Sequence, residues 1–127
     1  MTDSIPQQWA DQAQYDFETG RAMLETGRYL YVLFCCQQAV EKVLKAVIAK
    51  RTGEMPPRVH NLVRLAEHAG VNANAAQSEL MHELSRYYVE TRYPDQIAEI
   101  APDLSRDMAE EILGRTERLM QWLSSIL

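Results

Sequence analysis

The chain has 127 residues, of which 46% are hydrophobic, and its formal net charge is −5. This length fits a single domain over residues 1–127, and the composition excludes an intrinsically disordered chain. The acidic balance argues against bulk binding of nucleic acid, and no apolar run reaches the roughly 18 residues that span a bilayer. Because the N-terminus lacks the basic and apolar segments of a signal peptide, we expect a cytoplasmic protein without a membrane anchor.

Charge is unevenly distributed along the chain. Residues 28–68 carry seven basic and three acidic side chains, whereas the stretches on either side are acidic. A basic middle suits an anionic ligand or self-association, and simple solvation of two helices explains the same distribution. The adjacent cysteines, Cys35 and Cys36, lie inside an apolar run. They fit two small buried residues in a reducing compartment better than a disulfide or a zinc site.

The first two predicted helices have recognisable boundaries. Ser4 can cap a helix that has Pro6 in its first turn, and Gly27 ends the pattern. Helix two is predicted over about residues 28–51, with an apolar face wide enough for a central helix. Glutamines interrupt that face at positions 37 and 38. They form either a polar seam between helices or protomers, or the beginning of an exposed strip.

The second half of the chain predicts three further helices. They are expected over about residues 59–68, over about 76–91, and after a cap at Asp103 or Ser105. Pro94 disfavours helical geometry at the residue before it, so residues 95–102 are predicted to be a connector. No alternation of period two is long enough for a strand. The sequence therefore predicts an all-α fold, an up-and-down antiparallel helical bundle of about five helices.

Residues near the predicted end of helix four are the best candidates for ligand binding. Arginine binds phosphate through paired hydrogen bonds, and tyrosine stacks on a base, which draws attention to Arg86, Arg92 and Tyr93. The two arginines are six residues apart and fall on different faces of the helix. Arg92 has a structural alternative, in which it satisfies carbonyls at the helix end and pairs with Asp95.

His60 is a further candidate, near the start of predicted helix three. A histidine there binds an anion or acts as an acid or base, or else it hydrogen-bonds the helix start or a neighbouring loop. His68 and His82 are predicted to be surface residues. No HExxH, Walker loop or GxGxxG is present, and the sequence supports no catalytic residue, metal site or cofactor.

Five segments, in order along the chain, match the pattern of one known family. They are Trp9 with Ala13 and Asp16; Gly27-Arg28-Tyr29; Phe34 through Lys45; His60-Asn61-Leu62; and the TRYPD segment, Thr91 to Asp95. Together these segments resemble the HEPN family, the "higher eukaryotes and prokaryotes nucleotide-binding" domain. The resemblance implies a helical bundle that commonly dimerises and is linked to nucleotides or RNA. It also implies a minimal nucleotidyltransferase as a partner protein, sometimes as one half of a toxin–antitoxin pair.

The resemblance yields a functional expectation with two alternatives. We expect a non-catalytic nucleotide- or RNA-binding module in which Arg92 and Tyr93, aided by Arg86 and His60, contact a phosphate or base, and Asp95 holds Arg92. Active ribonucleases of the family carry an arginine, four to six residues, and then a histidine, a spacing that this chain lacks. The alternatives are a ribonuclease toxin with another constellation, such as His60 with Arg92, and a ligand-free assembly protein.

A homodimer is expected on two grounds. The resemblance implies one, and the chain has more aromatic residues than five short helices easily bury in one copy. The residues concerned are Tyr29, Tyr31, Tyr87, Tyr88 and Trp122.

Overall fold

The computed structural model describes residues 4–127, apart from the side chain of Glu90. Within this range all regular structure is helical, which confirms the predicted all-α fold, with six α-helices in place of about five. They are α1 (Ile5–Glu25), α2 (Tyr29–Thr52), α3 (Leu62–Ala69), α4 (Ala75–Glu90), α5 (Pro94–Ile100) and α6 (Arg106–Ile126). A 3-10 turn, Ala101–Asp103, joins α5 to α6. None of the described helices has the length and hydropathy that crossing a membrane requires.

The boundaries of α1 agree with the predicted caps, and those of α2 lie within one residue of the predicted range. The Ser4 hydroxyl accepts a hydrogen bond from the Gln7 amide at 3.2 Å. Gly27, just beyond α1, has a φ of 76°, a left-handed conformation that glycine adopts without strain. Gly53 ends α2 in the same way, with a φ of 71°.

Two predictions in the second half of the chain are wrong. Helix α3 begins at Leu62 and not near residue 59, because Asn61 is extended and its side chain accepts a hydrogen bond from the Arg64 amide at 3.0 Å. The predicted connector at 95–102 is mostly helical. Tyr93 is extended, as expected of a residue before proline, but Pro94 then occupies the first turn of a new helix, where its missing N–H costs nothing.

Helix α2 is the centre of the bundle, and most of its residues are buried. Its neighbour α1 runs antiparallel to it, with Lys42 bound to Asp16 at 2.7 Å. The close approach of these helices depends on Gly20, because a Cβ there would lie 3.2 Å from the Cβ of Cys35. The C-terminal part of α4 faces the N-terminal part of α2, where the rings of Tyr88 and Phe34 are stacked.

The two cysteines are buried free thiols, as the sequence predicts. Burial raises the pKa of Cys36 to about 12 and that of Cys35 to about 11. Because the thiolate is the reactive form of cysteine, both thiols are chemically quiet at neutral pH.

Candidate functional site

A buried row of polar side chains on α2 underlies the candidate site. Gln37, Glu41 and Lys45 follow one another at intervals of one helical turn and are 0%, 4% and 6% exposed. The Glu41 carboxylate accepts hydrogen bonds from Lys45 Nζ and from Gln37 Nε2, each at 3.0 Å. A buried charge is tolerated when it is paired and hydrogen-bonded in this way. Of the two alternatives for Gln37, the structure has the polar seam, and it lies inside a single copy of the chain.

His60 is fixed by this row although it lies on another segment. Its ring Nδ1 is 3.0 Å from Glu41 Oε1, and its backbone carbonyl accepts a hydrogen bond from Gln37 Nε2 at 3.1 Å. Because Glu41 is the acceptor, Nδ1 carries the hydrogen, and Nε2 is the nitrogen left for other contacts. The His60 side chain is 47% exposed, whereas that of Glu41 is 5% exposed.

Tyr88 joins His60 to the end of α4. The rings of His60 and Tyr88 stack with centroids 4.4 Å apart and an interplanar angle of 18°. The Arg92 guanidinium carbon lies 5.0 Å from the centre of the same tyrosine ring, a cation–π contact. On the α2 side, the Phe34 ring lies 6.4 Å from that of Tyr88. Groups from three parts of the chain thus meet on one tyrosine.

The structure brings some of the predicted site residues together and separates others. His60 and Arg92 share Tyr88, and Tyr93, which follows Arg92, is 52% exposed. Arg86 is elsewhere: its guanidinium lies 5.9 Å from the Tyr87 ring, and it lines a groove with acidic residues of α4. The expectation that the two arginines occupy different faces holds.

Asp95 is exposed in the first turn of α5. Among the described residues, no ion pair joins it to Arg92, so their pairing stays a prediction. The arginine is positioned by Tyr88.

The sequence did not single out Glu41, Lys45 or Tyr88 as members of a site. Glu41 and Lys45 have the spacing of an ordinary surface pair, and only their burial distinguishes them. Tyr88 was predicted to be a core or interface residue and is in fact half-buried. Within residues 4–127, no three histidine, cysteine, aspartate or glutamate side chains converge on a possible metal position.

The family model for the HEPN domain matches residues 6–126. The chain belongs to the HEPN domain family. Its fold is similar to that in the crystal structure of TT1696 from Thermus thermophilus, with a TM-score of 0.83 and 26% sequence identity over 96% of this chain and 98% of that one. No protein with a curated description matches the sequence. Membership in the family supports a nucleotide-binding or ribonuclease-like module.

Three of the sequence segments that carry the family resemblance contribute to the site of this HEPN domain. The first, Phe34 through Lys45, supplies the buried row on α2 and the ring of Phe34. The second, Thr91 to Asp95, forms the junction between α4 and α5 and supplies Arg92 and Tyr93. His60 links them through its contacts with Glu41 and Tyr88.

Proposed function

We propose that this HEPN domain is a non-catalytic module that binds a nucleotide or RNA at the end of α4. The observation that carries the proposal is the stack of His60, Tyr88 and Arg92. It presents a guanidinium and an imidazole nitrogen at one half-exposed place, and Tyr93, the residue after Arg92, has an exposed aromatic ring. Arginine forms charge-assisted hydrogen bonds with phosphate, and an exposed tyrosine offers a face on which a base can stack.

The buried row beneath His60 prepares this site before any ligand arrives. Glu41 fixes the orientation of the imidazole, and Lys45 and Gln37 hold Glu41 in turn. Binding therefore requires little reordering of side chains, which lowers its entropic cost. We assign no ligand contact to Arg86, because it lies against Tyr87 and not in the stack.

The test is a calorimetric titration of ATP, GTP and a short RNA against the wild type and Arg92→Ala. We expect the variant to lose about 1.5–3 kcal/mol of binding free energy, as lost charged hydrogen bonds do. Its melting temperature should change little, because Arg92 is exposed and its contact with Tyr88 is worth no more than about 1 kcal/mol. Arg118→Ala, at an exposed arginine on α6, is the matched control. No binding of any of these ligands by the wild type would favour the ligand-free assembly protein.

A second candidate, a ribonuclease toxin, is favoured by the contact between Glu41 and His60. A carboxylate bound to Nδ1 leaves Nε2 as a proton acceptor, which is the arrangement of a general base. The Arg92 guanidinium contacts the Tyr88 ring on which His60 stacks, and it could bind the phosphate of an RNA held there. The arginine–histidine spacing of active family members is absent, so we place this candidate second. RNA cleavage that persists through purification and is lost in His60→Ala would reverse the order.

For partners, we propose a homodimer that works with a minimal nucleotidyltransferase. Support for both comes from the family, which is often dimeric and nucleotide-related. The aromatic argument for a dimer is weaker than the sequence suggests, because Tyr87 is only 2% exposed and Tyr31 alone of the five aromatic residues invoked is exposed. Co-purification of the tagged chain with a small nucleotidyltransferase encoded beside it tests the second partner.

A further inference from the structure

A groove between α4 and α6 has the features of a second ligand site. Its volume is about 210 Å³, and the residues that line it are Ala76, Gln77, Leu80, Arg115, Arg118 and Leu119. Ala76 lies in the first turn of α4, whereas Tyr88 lies near the end of that helix. The two are twelve residues apart, about 18 Å along the helix axis. The groove is therefore separate from the stack of His60, Tyr88 and Arg92.

The polar side chains that line this groove offer hydrogen-bond donors. Arg115 and Arg118 are three residues apart on α6 and contribute guanidinium groups, which only donate. The Gln77 side-chain oxygen already accepts a hydrogen bond from the Asn74 amide at 2.8 Å, so its NH₂ group is the part left for a ligand. The backbone amide of Gln77 is bonded to Asn74 Oδ1 at 2.8 Å, so the donors come from side chains and not from the helix start. Such a lining favours an anion.

Contacts within the chain orient both arginine side chains. Arg115 Nη1 donates a hydrogen bond to Glu83 Oε2 on α4 at 3.0 Å, and its side chain is only 25% exposed. Glu83 is held in turn by the Tyr87 hydroxyl, which donates to its other oxygen at 2.9 Å. A Cβ atom at Gly114 would lie 3.6 Å from Nη1 of Arg118, so that guanidinium lies against Gly114, the neighbour of Arg115. Because Arg115 is already ordered, a ligand pays less entropy to bind it.

The charge of the groove matches an anion with a single negative charge. Arg115 and Arg118 contribute two positive charges and Glu83 one negative charge, which leaves a net charge of +1. Arg21 and Arg106 each bind a glutamate, whereas no carboxylate in the described part of the chain pairs with Arg118. In a protein of net charge −5, a doubly charged anion would leave excess negative charge at this place.

The floor and the size of the groove limit the rest of the ligand. Leu80 and Leu119, each 3% exposed, form an apolar floor together with Ala76. The volume of about 210 Å³ equals that of about seven molecules of liquid water, so the groove takes a ligand of roughly that many non-hydrogen atoms. A nucleotide is too large for it, and Arg118 therefore remains a suitable control for nucleotide binding at Arg92.

We propose that this groove binds a small organic monocarboxylate with a short apolar body. The carboxylate bonds to the guanidinium groups of Arg115 and Arg118, which match its planar shape. The apolar body packs on Leu80 and Leu119. This site goes beyond the proposed function, because it has its own residues and a different class of ligand.

The test is a titration of the isotope-labelled full chain with isocaproate, a short branched carboxylate, followed by NMR. We expect binding in the millimolar range, as for a ligand of this size in an open groove, with shifts of the amide signals of residues 76–80 and 115–119. Isocaproamide has the same shape and no charge. It should bind at least tenfold more weakly, because the charge-assisted hydrogen bonds are lost.

Two variants test the lining of the groove. Arg118→Ala should weaken isocaproate binding at least tenfold. Arg106→Ala is the matched control, because Arg106 is 55% exposed on the same helix and does not line the groove. Ala76→Leu should fill the groove and abolish binding while both arginines remain. Because Ala76 is exposed and leucine is a strong helix former, this variant should keep the wild-type melting temperature.

A third variant, Glu83→Gln, should strengthen binding. It raises the net charge of the groove from +1 to +2 and keeps an acceptor oxygen for the Tyr87 hydroxyl. We expect isocaproate to bind about two- to fivefold more tightly, the size of the effect of a partly exposed charge pair. Weaker binding in this variant would contradict the role of the guanidinium charges.

Other results would also overturn the inference. They are no binding of isocaproate by the wild type, equal binding of the acid and its amide, and equal effects of Arg118→Ala and Arg106→Ala. Tighter binding of inorganic phosphate would exclude the monocarboxylate, and tighter binding of a tripeptide that ends in leucine would exclude a free acid. None of these outcomes changes the nucleotide site at Arg92, which is measured with ATP, GTP and RNA.

Discussion

Replacing Glu41 by glutamine tests the buried row on α2 directly, since the change removes one charge and keeps the size of the side chain. The side chains of Glu41 and Lys45 are 5% and 7% exposed, so solvent screens their interaction weakly. The substitution leaves the Lys45 ammonium buried without its anion. Removing one partner of a buried pair costs roughly 3–5 kcal/mol, and because glutamine keeps one acceptor oxygen we expect a loss of about 3 kcal/mol in the free energy of unfolding.

Urea unfolding followed by circular dichroism measures this loss, provided that the denaturant dependence of the free energy is the same in both proteins. Glu110→Gln is the control, because Glu110 pairs with Arg106 on the surface, where the two side chains are 48% and 55% exposed. An exposed pair contributes less than about 1 kcal/mol. The double variant Glu41→Met with Lys45→Met should be more stable than Glu41→Gln, because it leaves no buried charge without a partner.

Two results would refute this reasoning. One is a Glu41→Gln variant that loses no more stability than Glu110→Gln. The other is a double variant that is less stable than Glu41→Gln. Either would show that the Glu41–Lys45 contact is not a desolvated ion pair in solution.

Three further predictions follow from the structure and the family. In sedimentation at micromolar concentration, the protein should have twice the 14.6 kDa mass of one chain. Detection of the monomer alone would exclude the homodimer. The purified protein should not cleave a labelled RNA, and its activity should equal that of the His60→Ala variant assayed in parallel. Burial raises the pKa of Cys36 to about 12. The folded chain therefore keeps a proton on this thiol that the unfolded chain loses near pH 8.5. As the pH rises above that value, the free energy of unfolding should fall by up to about 1.4 kcal/mol per pH unit. Urea titrations at pH 8 and pH 10 should show a smaller fall in Cys36→Ala, and an equal fall in both proteins would contradict the prediction.

The sequence predicted most of the fold because the boundaries of the helices are local features. Ser4 and Gly27 act through their own backbone geometry and through partners within one turn, so neighbouring residues suffice to identify them. Pro94 was misjudged because proline both disfavours helix at the preceding residue and begins a helix well, and only the packing of the following segment decides between these effects. Ile100 supplies that packing, being 8% exposed.

The candidate site was less predictable because its contacts join distant parts of the chain. His60 and Arg92 were each recognisable by residue type, and the sequence gives no sign that both contact Tyr88. The burial of Glu41 was also hidden, since a glutamate four residues before a lysine is typical of an exposed helix surface. Only the packing of neighbouring elements around α2 makes that carboxylate part of the interior.

The carboxylate of Glu41 thus serves the interior of the bundle and the imidazole at its surface with the same two oxygens. Well-packed apolar side chains in place of a buried ion pair often leave a protein equally or more stable. Selection for stability alone would therefore tend to replace Glu41 and Lys45 by leucine or methionine. His60 would then lose its contact with the Glu41 carboxylate. If both charges persist among descendants of this chain, selection acts on the function of His60. Joint loss of the two charges would indicate lineages in which His60 no longer has that function.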